Sequence, residues 1–229
     1  MTAAIIVAAG RGTRMGTDID KIFLEVTGKP IVVHTWERFA SHPMIDQIVL
    51  VVRHGLENTF HDLVAKYSSV LNQKPFALVA GGNERQDSVW NGLQSLSPEV
   101  SLVAIQDAAR PCTRAEVISQ ILLTAEQTGA AVAAQRATDT IKQSGDGKRI
   151  TSHLDRSQLW TVQTPQAFRR EVIHKALKTA MDQGVIISDD TAACELIQQS
   201  VTLVECPWPN PKATSPSDLA YIELILNQT

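Results

Sequence analysis

No two cysteines in this sequence have the spacing of a disulfide framework or a metal knuckle. Cys112, Cys194 and Cys206 are scattered and odd in number, which argues against a stapled secreted fold and for a reducing compartment. No apolar run approaches the roughly 18–20 residues needed to cross a bilayer. The N-terminus enters a strand at once, without the layered pattern of a targeting signal. A cytoplasmic chain with no membrane partner is therefore expected. Neither sign of charge is in excess: 21 Lys and Arg stand against 24 Asp and Glu, a net charge of −3. That removes any general attraction to nucleic acid, so an anionic ligand would have to be held by a local cluster of cations. The histidines at 34, 42, 54, 61, 153 and 174 show no ligand spacing, and Cys112 has no histidine near it in sequence. Zinc and thiol chemistry thus lack a motif. Internal repeats, low-complexity tracts and disordered linkers are also missing, and 229 residues that are 44% hydrophobic suffice for one large domain, 1–229.

What is present begins with Ile5-Ile6-Val7-Ala8-Ala9-Gly10-Arg11-Gly12-Thr13-Arg14-Met15. The first half is a continuous apolar run, as expected of a strand buried on both faces. The second half is rich in Gly and Arg, with backbone donors and positive charge in one place. A buried strand feeding such a loop is where α/β folds hold phosphates. The loop is not a P-loop, because Gly-x-x-x-x-Gly-Lys-Ser/Thr is absent. It is not a dinucleotide fingerprint either, since no third glycine follows Gly12. What remains is a cationic cradle of Arg11, Arg14 and Lys21, able to neutralise a triphosphate and the charge that builds on a phosphorus under attack.

The rest of the chain alternates strand and helix. Apolar strands are read at Gln47–Val52, Phe76–Ala80 and Leu102–Ile105, with amphipathic helices over Ile31–Phe39, Leu56–Tyr67 and after Ser88. Thr113 with Glu116 has capping-box spacing before the next helix. This pattern predicts a parallel sheet with helices on both faces. Three strands end in polar loops, 8–16, 81–88 and 106–111, and open α/β sheets bind ligands beyond those carboxyl ends. After Ala131 the rhythm changes. Short strands at Thr140–Gln143 and Arg149–His153 flank the turn Ser144-Gly145-Asp146-Gly147-Lys148, so 136–158 reads as an inserted β arm. Such an arm cannot be stable alone and must lie on its own domain or on a second subunit. Thr164-Pro165-Gln166 marks the return to the main body, before a helix over Phe168–Met181. Ser188 is expected to cap a helix that buries Ala192, Ala193, Leu196 and Ile197. Ser215-Pro216-Ser217-Asp218 is expected to open the last helix.

Each candidate residue carries a plain reading beside the chemical one. Asp107, at a strand end, can hold a magnesium ion between phosphates, orient a substrate hydroxyl, or simply cap a turn. Arg110 is a second phosphate grip or a surface arginine. Asp87-Ser88 caps the next helix, or belongs to a loop that reads a base edge. Lys212, hemmed by prolines, is aimed at something or merely exposed. Lys21 divides evenly between phosphate ligand and surface lysine.

Taken as an ordered set, the motifs are narrower. Ala8-Ala9-Gly10-x-Gly12-x-Arg14-Met15 with Lys21 resembles the nucleotide-sugar-pyrophosphorylase-like nucleotidyltransferases. Gly81-Gly82-x-Glu84-Arg85-x-Asp87-Ser88-Val89, Asp107-Ala108-Ala109-Arg110-Pro111, Asp139-Thr140, Asp155-Arg156, Leu159-Trp160, Thr164-Pro165-Gln166 and Lys212 before Pro216 together resemble the 2-C-methyl-D-erythritol 4-phosphate cytidylyltransferases of the non-mevalonate isoprenoid pathway. The resemblance covers about residues 3–226. It implies a Rossmann-like α/β fold, a mostly parallel sheet flanked by helices with a protruding β arm. It implies transfer of a cytidylyl group from CTP to the sugar phosphate, with Mg²⁺ as cofactor and pyrophosphate released. Arg14, Lys21 and Lys212 would be catalytic. Ala8, Ala9, Gly10, Gly12, Gly82, Asn83, Ser88 and Asp107 would lie at the nucleotide. Asp107, Arg110, Thr140, Arg156, Ser188 and Lys212 would lie at the second substrate, and Asp107 is the one protein candidate for the metal. It further implies a homodimer in which the arm completes the partner's site. The end at Thr229 leads to the expectation of a transferase not fused to a following cyclodiphosphate synthase. Two departures stand out: Asp20 replaces a proline before Lys21, and Asn83 replaces a frequent aspartate. The rival readings are cytidylyl transfer to another polyol phosphate, such as ribitol 5-phosphate, and a non-catalytic CTP-binding protein of the same fold.

Overall fold

The first strand, β1 (Thr2–Ala8), sends Ala4, Ile6 and Ala8 to one face and Ala3 and Ile5 to the other, and all five are buried. A strand apolar on both sides needs a cover on both sides, and the sheet built around it has one. The structure is a computed structural model that describes residues 1–10 and 20–228. A 3₁₀ turn at Lys21–Phe23 leads into a small ribbon of β2 (Glu25–Val26) and β3 (Lys29–Pro30). Then come α1 (Ile31–Ala40), β4 (Gln47–Val52), α2 (Glu57–Lys66), α3 (Ser68–Leu71), β5 (Phe76–Ala80), α4 (Arg85–Gln94), β6 (Leu102–Asp107), α5 (Ala115–Thr128) and β7 (Ala130–Arg136). The chain continues through β8 (Lys142–Gln143), β9 (Ser152–His153), β10 (Trp160–Arg169), α6 (Arg170–Asp182), α7 (Asp190–Glu195), β11 (Thr202–Glu205) and α8 (Pro216–Leu226).

Among the described residues, seven strands form the main sheet in the order β11-β7-β10-β6-β1-β4-β5. β1 pairs in parallel with both β4 and β6, so the chain winds outward in two directions from β1. One face packs on α1, α5 and α8 through Trp36, Phe39, Ile121 and Ile222, while the other packs on α4, α6 and α7 through Val89, Leu93, Ile173 and Ala193. Full burial of Trp36 and Phe39, at about 1.5–3 kcal/mol each, places them in the core. Gly92 allows the close approach of α4: a Cβ there would lie 2.8 Å from Ile5 Cγ2 and 3.0 Å from Val51 Cγ2.

The sheet is mostly parallel, as expected, with β10 running antiparallel to both β6 and β7. Several local expectations need correction. Thr164-Pro165-Gln166, the point of return to the main body, is itself part of a strand. It lies inside β10, where the register shifts between Val162 and Gln166; Pro165 has no N–H for the ladder, and a bulge accommodates it. Phe168 is therefore a buried strand residue between Val103 and Ala130, and α6 begins only at Arg170. The cap of α5 is Arg114, since the Thr113 hydroxyl is used elsewhere. The cap of α7 is Asp189, whose carboxylate accepts the Ala192 N–H at 3.0 Å, so Ser188 lies outside the helix, as do Leu196 and Ile197. The reciprocal cap of Ser215 and Asp218 on α8 is present, with Pro216 at the first helical position. Between Arg136 and Trp160, which face each other in register, the chain leaves the sheet as an arm whose β8 and β9 pair antiparallel.

Candidate active site

Beyond the C-terminal ends of β1, β4, β5 and β6 lies a cleft of about 720 Å³. The diverging connections on either side of β1 open a crevice there, as the winding of an α/β sheet requires. Its walls include Ala8, Ala9 and Gly10 from the first loop, Lys21 from the turn that follows, Gly81 to Arg85 with Ser88 from the second, Asp107 to Ala109 from the third, and Lys212 from the C-terminal link. Arg53 and His54, at the end of β4, complete it. Arg11, Gly12 and Arg14 lie outside the described residues.

Asp107 ends β6 and organises the charge. Its side chain is mostly buried, with Lys212 Nζ 2.7 Å from Oδ2, Arg85 Nε 3.5 Å from Oδ1 and Arg110 Nε 3.7 Å from Oδ2. Burial pushes its carboxyl up, but Lys212, Arg85 and Arg110 outweigh that and hold it below the usual carboxylate range. The backbone N–H of Asp107 donates to Thr164 Oγ1 at 3.1 Å. Three cations against Asp107 and, behind Arg85, Asp190 leave net positive charge, which suits a substrate rich in phosphate.

Lys212 owes its place to its neighbours. Two residues before it, the buried Asn210 donates to Gln163 Oε1 and to the Thr164 carbonyl, at 3.2 and 2.9 Å. Its own side-chain oxygen accepts from Thr113 at 3.2 Å, and its carbonyl accepts from Arg110 Nη1 at 2.6 Å. One residue after it, Ala213 is fully buried and donates its N–H to the Ala109 carbonyl at 2.9 Å. The link is thus sewn to β10 and to the third loop on both sides of Lys212. Arg110 is committed to this seam, packed beneath the cleft wall with Asn210; burial lowers its pKa, partly offset by Asp107.

The second loop is shaped by glycine. A Cβ on Gly81 would collide with Ala9 Cβ and come within 3.0 Å of Ser88 Oγ, and one on Gly82 would collide with Asp87 Cβ. The Gly82 N–H donates to Ser88 Oγ at 3.1 Å, and that hydroxyl donates to the Glu84 carbonyl at 3.2 Å. Asp87 performs the capping role, its carboxylate accepting the Glu84 N–H at 3.0 Å in a reciprocal box. Asn83 lines the cleft.

Sequence reasoning gave no role to Arg85, although it stood in a quoted motif. Arg85 Nη1 contacts Oδ2 of the fully buried Asp190 at 2.7 Å while Nε faces Asp107. Burial opposes its charge, yet the two carboxylates raise its pKa, and it stays a cation. Asp190 is pushed up by complete burial, against the pull of Arg85. Nothing in a linear pattern announces that α7 supplies a counter-ion from 105 residues away. Cys112 is a core residue whose thiol burial pushes up to about 11, so it holds no thiolate near neutrality.

Of the expected site residues, Arg110 does not line the cleft, and three others stand apart from it within one chain. Thr140 and Arg156 lie exposed on the arm, with Arg156 Nη1 donating to the Thr138 carbonyl at 2.7 Å. Ser188 is exposed just before α7.

The sequence model of the 2-C-methyl-D-erythritol 4-phosphate cytidylyltransferase (IspD) family matches residues 2–228. The chain belongs to this family. A 2-C-methyl-D-erythritol 4-phosphate cytidylyltransferase from Geobacillus kaustophilus (strain HTA426) is 42% identical over 223 residues, 97% of this chain and 96% of that one. Among solved structures, the 4-diphosphocytidyl-2C-methyl-D-erythritol synthase from Anaerococcus prevotii DSM 20548 matches with a TM-score of 0.86 at 26% identity, covering 99% of this chain and 98% of that one. The 2-C-methyl-D-erythritol 4-phosphate cytidylyltransferase from Thermus thermophilus matches with a TM-score of 0.80 at 26% identity, covering 99% and 100%. The mostly parallel seven-stranded sheet with helices on both faces is the cytidylyltransferase fold.

Proposed function

We propose that the cleft transfers the cytidylyl group of CTP to 2-C-methyl-D-erythritol 4-phosphate. The observation that carries this is Asp107 with Lys212 and Arg85 in the cleft lined by the glycine loop at 81–88, and with Arg110 packed behind it. The phosphate oxygen of the sugar attacks the α-phosphorus of CTP. A new P–O bond forms as the bond to the β-phosphate oxygen breaks, and pyrophosphate leaves. The attacking phosphate is already anionic near neutrality, so no histidine or cysteine base is required, and alignment with charge stabilisation suffices. Lys21 and Arg14 meet the triphosphate. Lys212, held by Asn210 and Ala213, meets the charge at the reacting phosphorus. Gly82, Asn83 and Ser88 face the nucleoside, and Asp107 separates the two substrates while keeping Lys212 directed.

Among the described residues no three His, Cys, Asp or Glu side chains cluster to hold a metal. Asp107 has one oxygen against Lys212 and the other facing Arg85, so the residues present do not fit a protein-held ion. Mg²⁺ is proposed to arrive coordinated by the triphosphate itself, and no step is derived through it.

A homodimer is part of the same reading. The arm exposes Ile150 and Leu154, and Val162 follows on β10; with Thr140 and Arg156 it has the composition of a surface that packs on a second copy and lends it polar groups. No described helix is long and apolar enough to cross a membrane. Three free, buried cysteines support the cytoplasm as the compartment.

The test is magnesium-dependent pyrophosphate release from CTP with a panel of polyol phosphates. Turnover is expected with methylerythritol phosphate, and Lys21→Ala and Lys212→Ala are each expected to lower kcat at least about tenfold. Turnover with ribitol 5-phosphate in place of methylerythritol phosphate would transfer the chain to the rival substrate, and CTP binding without turnover on any member would make it a binding protein.

A further inference from the structure

Residues 11–19, which include Arg14, are flanked by Gly10, two residues after the end of β1, and by Asp20. Asp20 is tied to the residue after β4 by an ion pair: Arg53 Nη2 lies 2.6 Å from Asp20 Oδ2. The Asp20 side chain is 12% exposed and that of Arg53 35%, so the pair is less screened than one on the open surface. Arg53 follows Val52, the register partner of Ala8. The anchor therefore springs from the strand end beside the one that feeds the loop. Both Arg53 and Lys21 line the cleft. The Asp20 carbonyl accepts the Phe23 N–H at 2.9 Å and so starts the 3₁₀ turn that contains Lys21 and buries Ile22. The Asp20 backbone has φ −58° and ψ 126°, and that φ is the angle, near about −65°, that a proline ring would impose.

We propose that the Asp20–Arg53 pair is a positioning device for Lys21, doing by charge what a proline at position 20 would do by covalent restraint. Asp20 stands immediately before the turn, and its side chain links that turn to Arg53, the residue after β4. With the link intact, Lys21 enters the cleft from a fixed point. Without it, the turn keeps its hydrogen bond and its buried Ile22 but loses its tether beside Gly10. Arg53 is correspondingly an anchor rather than a triphosphate ligand, because its guanidinium is engaged by a largely buried carboxylate. The proposal rests on the reading of Lys21 as a triphosphate ligand.

The experiment measures CTP affinity by calorimetry, the CTP KM and kcat, and the melting temperature for Asp20→Ala, Arg53→Ala, the double alanine variant and Asp20→Pro. Each single alanine variant is expected to weaken CTP binding about fivefold. The double variant should be no weaker than either single, because one interaction is lost in all three. Asp20→Pro should bind CTP within about twofold of the parent, a rescue that a merely structural salt bridge would not give. Tighter CTP binding by Asp20→Ala would overturn the proposal, since it would mean that Asp20 withholds Arg53 from the phosphates. Unchanged binding in both single variants, or an Asp20→Pro protein as weak as Asp20→Ala, would overturn it as well. Lys21→Ala, run alongside, separates the two levels: normal CTP binding and turnover there would overturn the reading of Lys21, and with it the device, whatever the pair does to affinity.

Discussion

Asn210 shows how much of a catalytic lysine is decided by residues that never meet substrate. Its side chain bonds Gln163, Thr164 and Thr113; Asn210, Thr164 and Thr113 are buried and Gln163 is half-buried. Asn210→Ala takes the side-chain donor from the buried Thr164 carbonyl, at about 1–3 kcal/mol for a buried group left unsatisfied, while the Thr113 hydroxyl keeps Gln106 and the Arg110 carbonyl. It also frees the link that carries Lys212. The expected outcome is a lower midpoint in urea together with a fall in kcat larger than the rise in the CTP KM. A normal kcat in folded protein would remove Asn210 from the positioning of Lys212. At this scale the cationic candidates were legible because charge beside glycine and proline is uncommon in a core. Their partners were not, because Asp190 and Asn210 resemble any helix-start acid and any loop amide until the fold brings them together.

Helices and strands were read from their apolar periods, and the long ones came close: α1 is Ile31–Ala40 against a reading of Ile31–Phe39, and β4 is Gln47–Val52 as read. Errors collected where a side chain had a second use. Thr113 serves Asn210 instead of capping α5, and Phe168 serves β10 instead of α6. His42, just beyond α1, is another residue with an assignment. Its Nε2 lies 3.1 Å from the Ala115 carbonyl, and its Nδ1 accepts the Met44 N–H at 3.2 Å. Both bonds are satisfied only by the neutral ring. Burial lowers its pKa below the ordinary 6.5; the Ala115 carbonyl opposes the shift and Lys74 adds to it. The sign follows from linkage: the folded state binds the proton less well than the unfolded one, so the stability due to His42 is complete above about pH 6.5 and drains away as pH falls toward the folded value. Melting temperatures are expected to decline below pH 6.5, and to decline less steeply in His42→Gln. Parallel pH profiles for the two proteins would refute this role.

At the scale of the whole molecule, the cleft is assembled from four strand ends and a C-terminal link, yet Thr140 and Arg156 remain on an exposed arm. If a second copy receives that arm, an Arg156→Ala chain and a Lys212→Ala chain mixed as a hybrid contain one site with both native groups. Activity well above that of either variant alone is expected from mixed dimers isolated with two affinity tags. No gain in hybrids of verified composition would place Arg156 outside the partner's site.

The sequence alone determined the alternation of strands and helices, the three polar strand ends, the arm and the family, because periodicity and an ordered set of loop motifs are local and survive in one dimension. Only the tertiary structure decided that β10 runs against its neighbours, that Asp107 is ringed by Lys212, Arg85 and Arg110, and that Asp20 is tied to Arg53. Those facts depend on which residues, distant in sequence, share a buried space of low dielectric. There, charge is tolerated only when paired, and no local pattern names the partner.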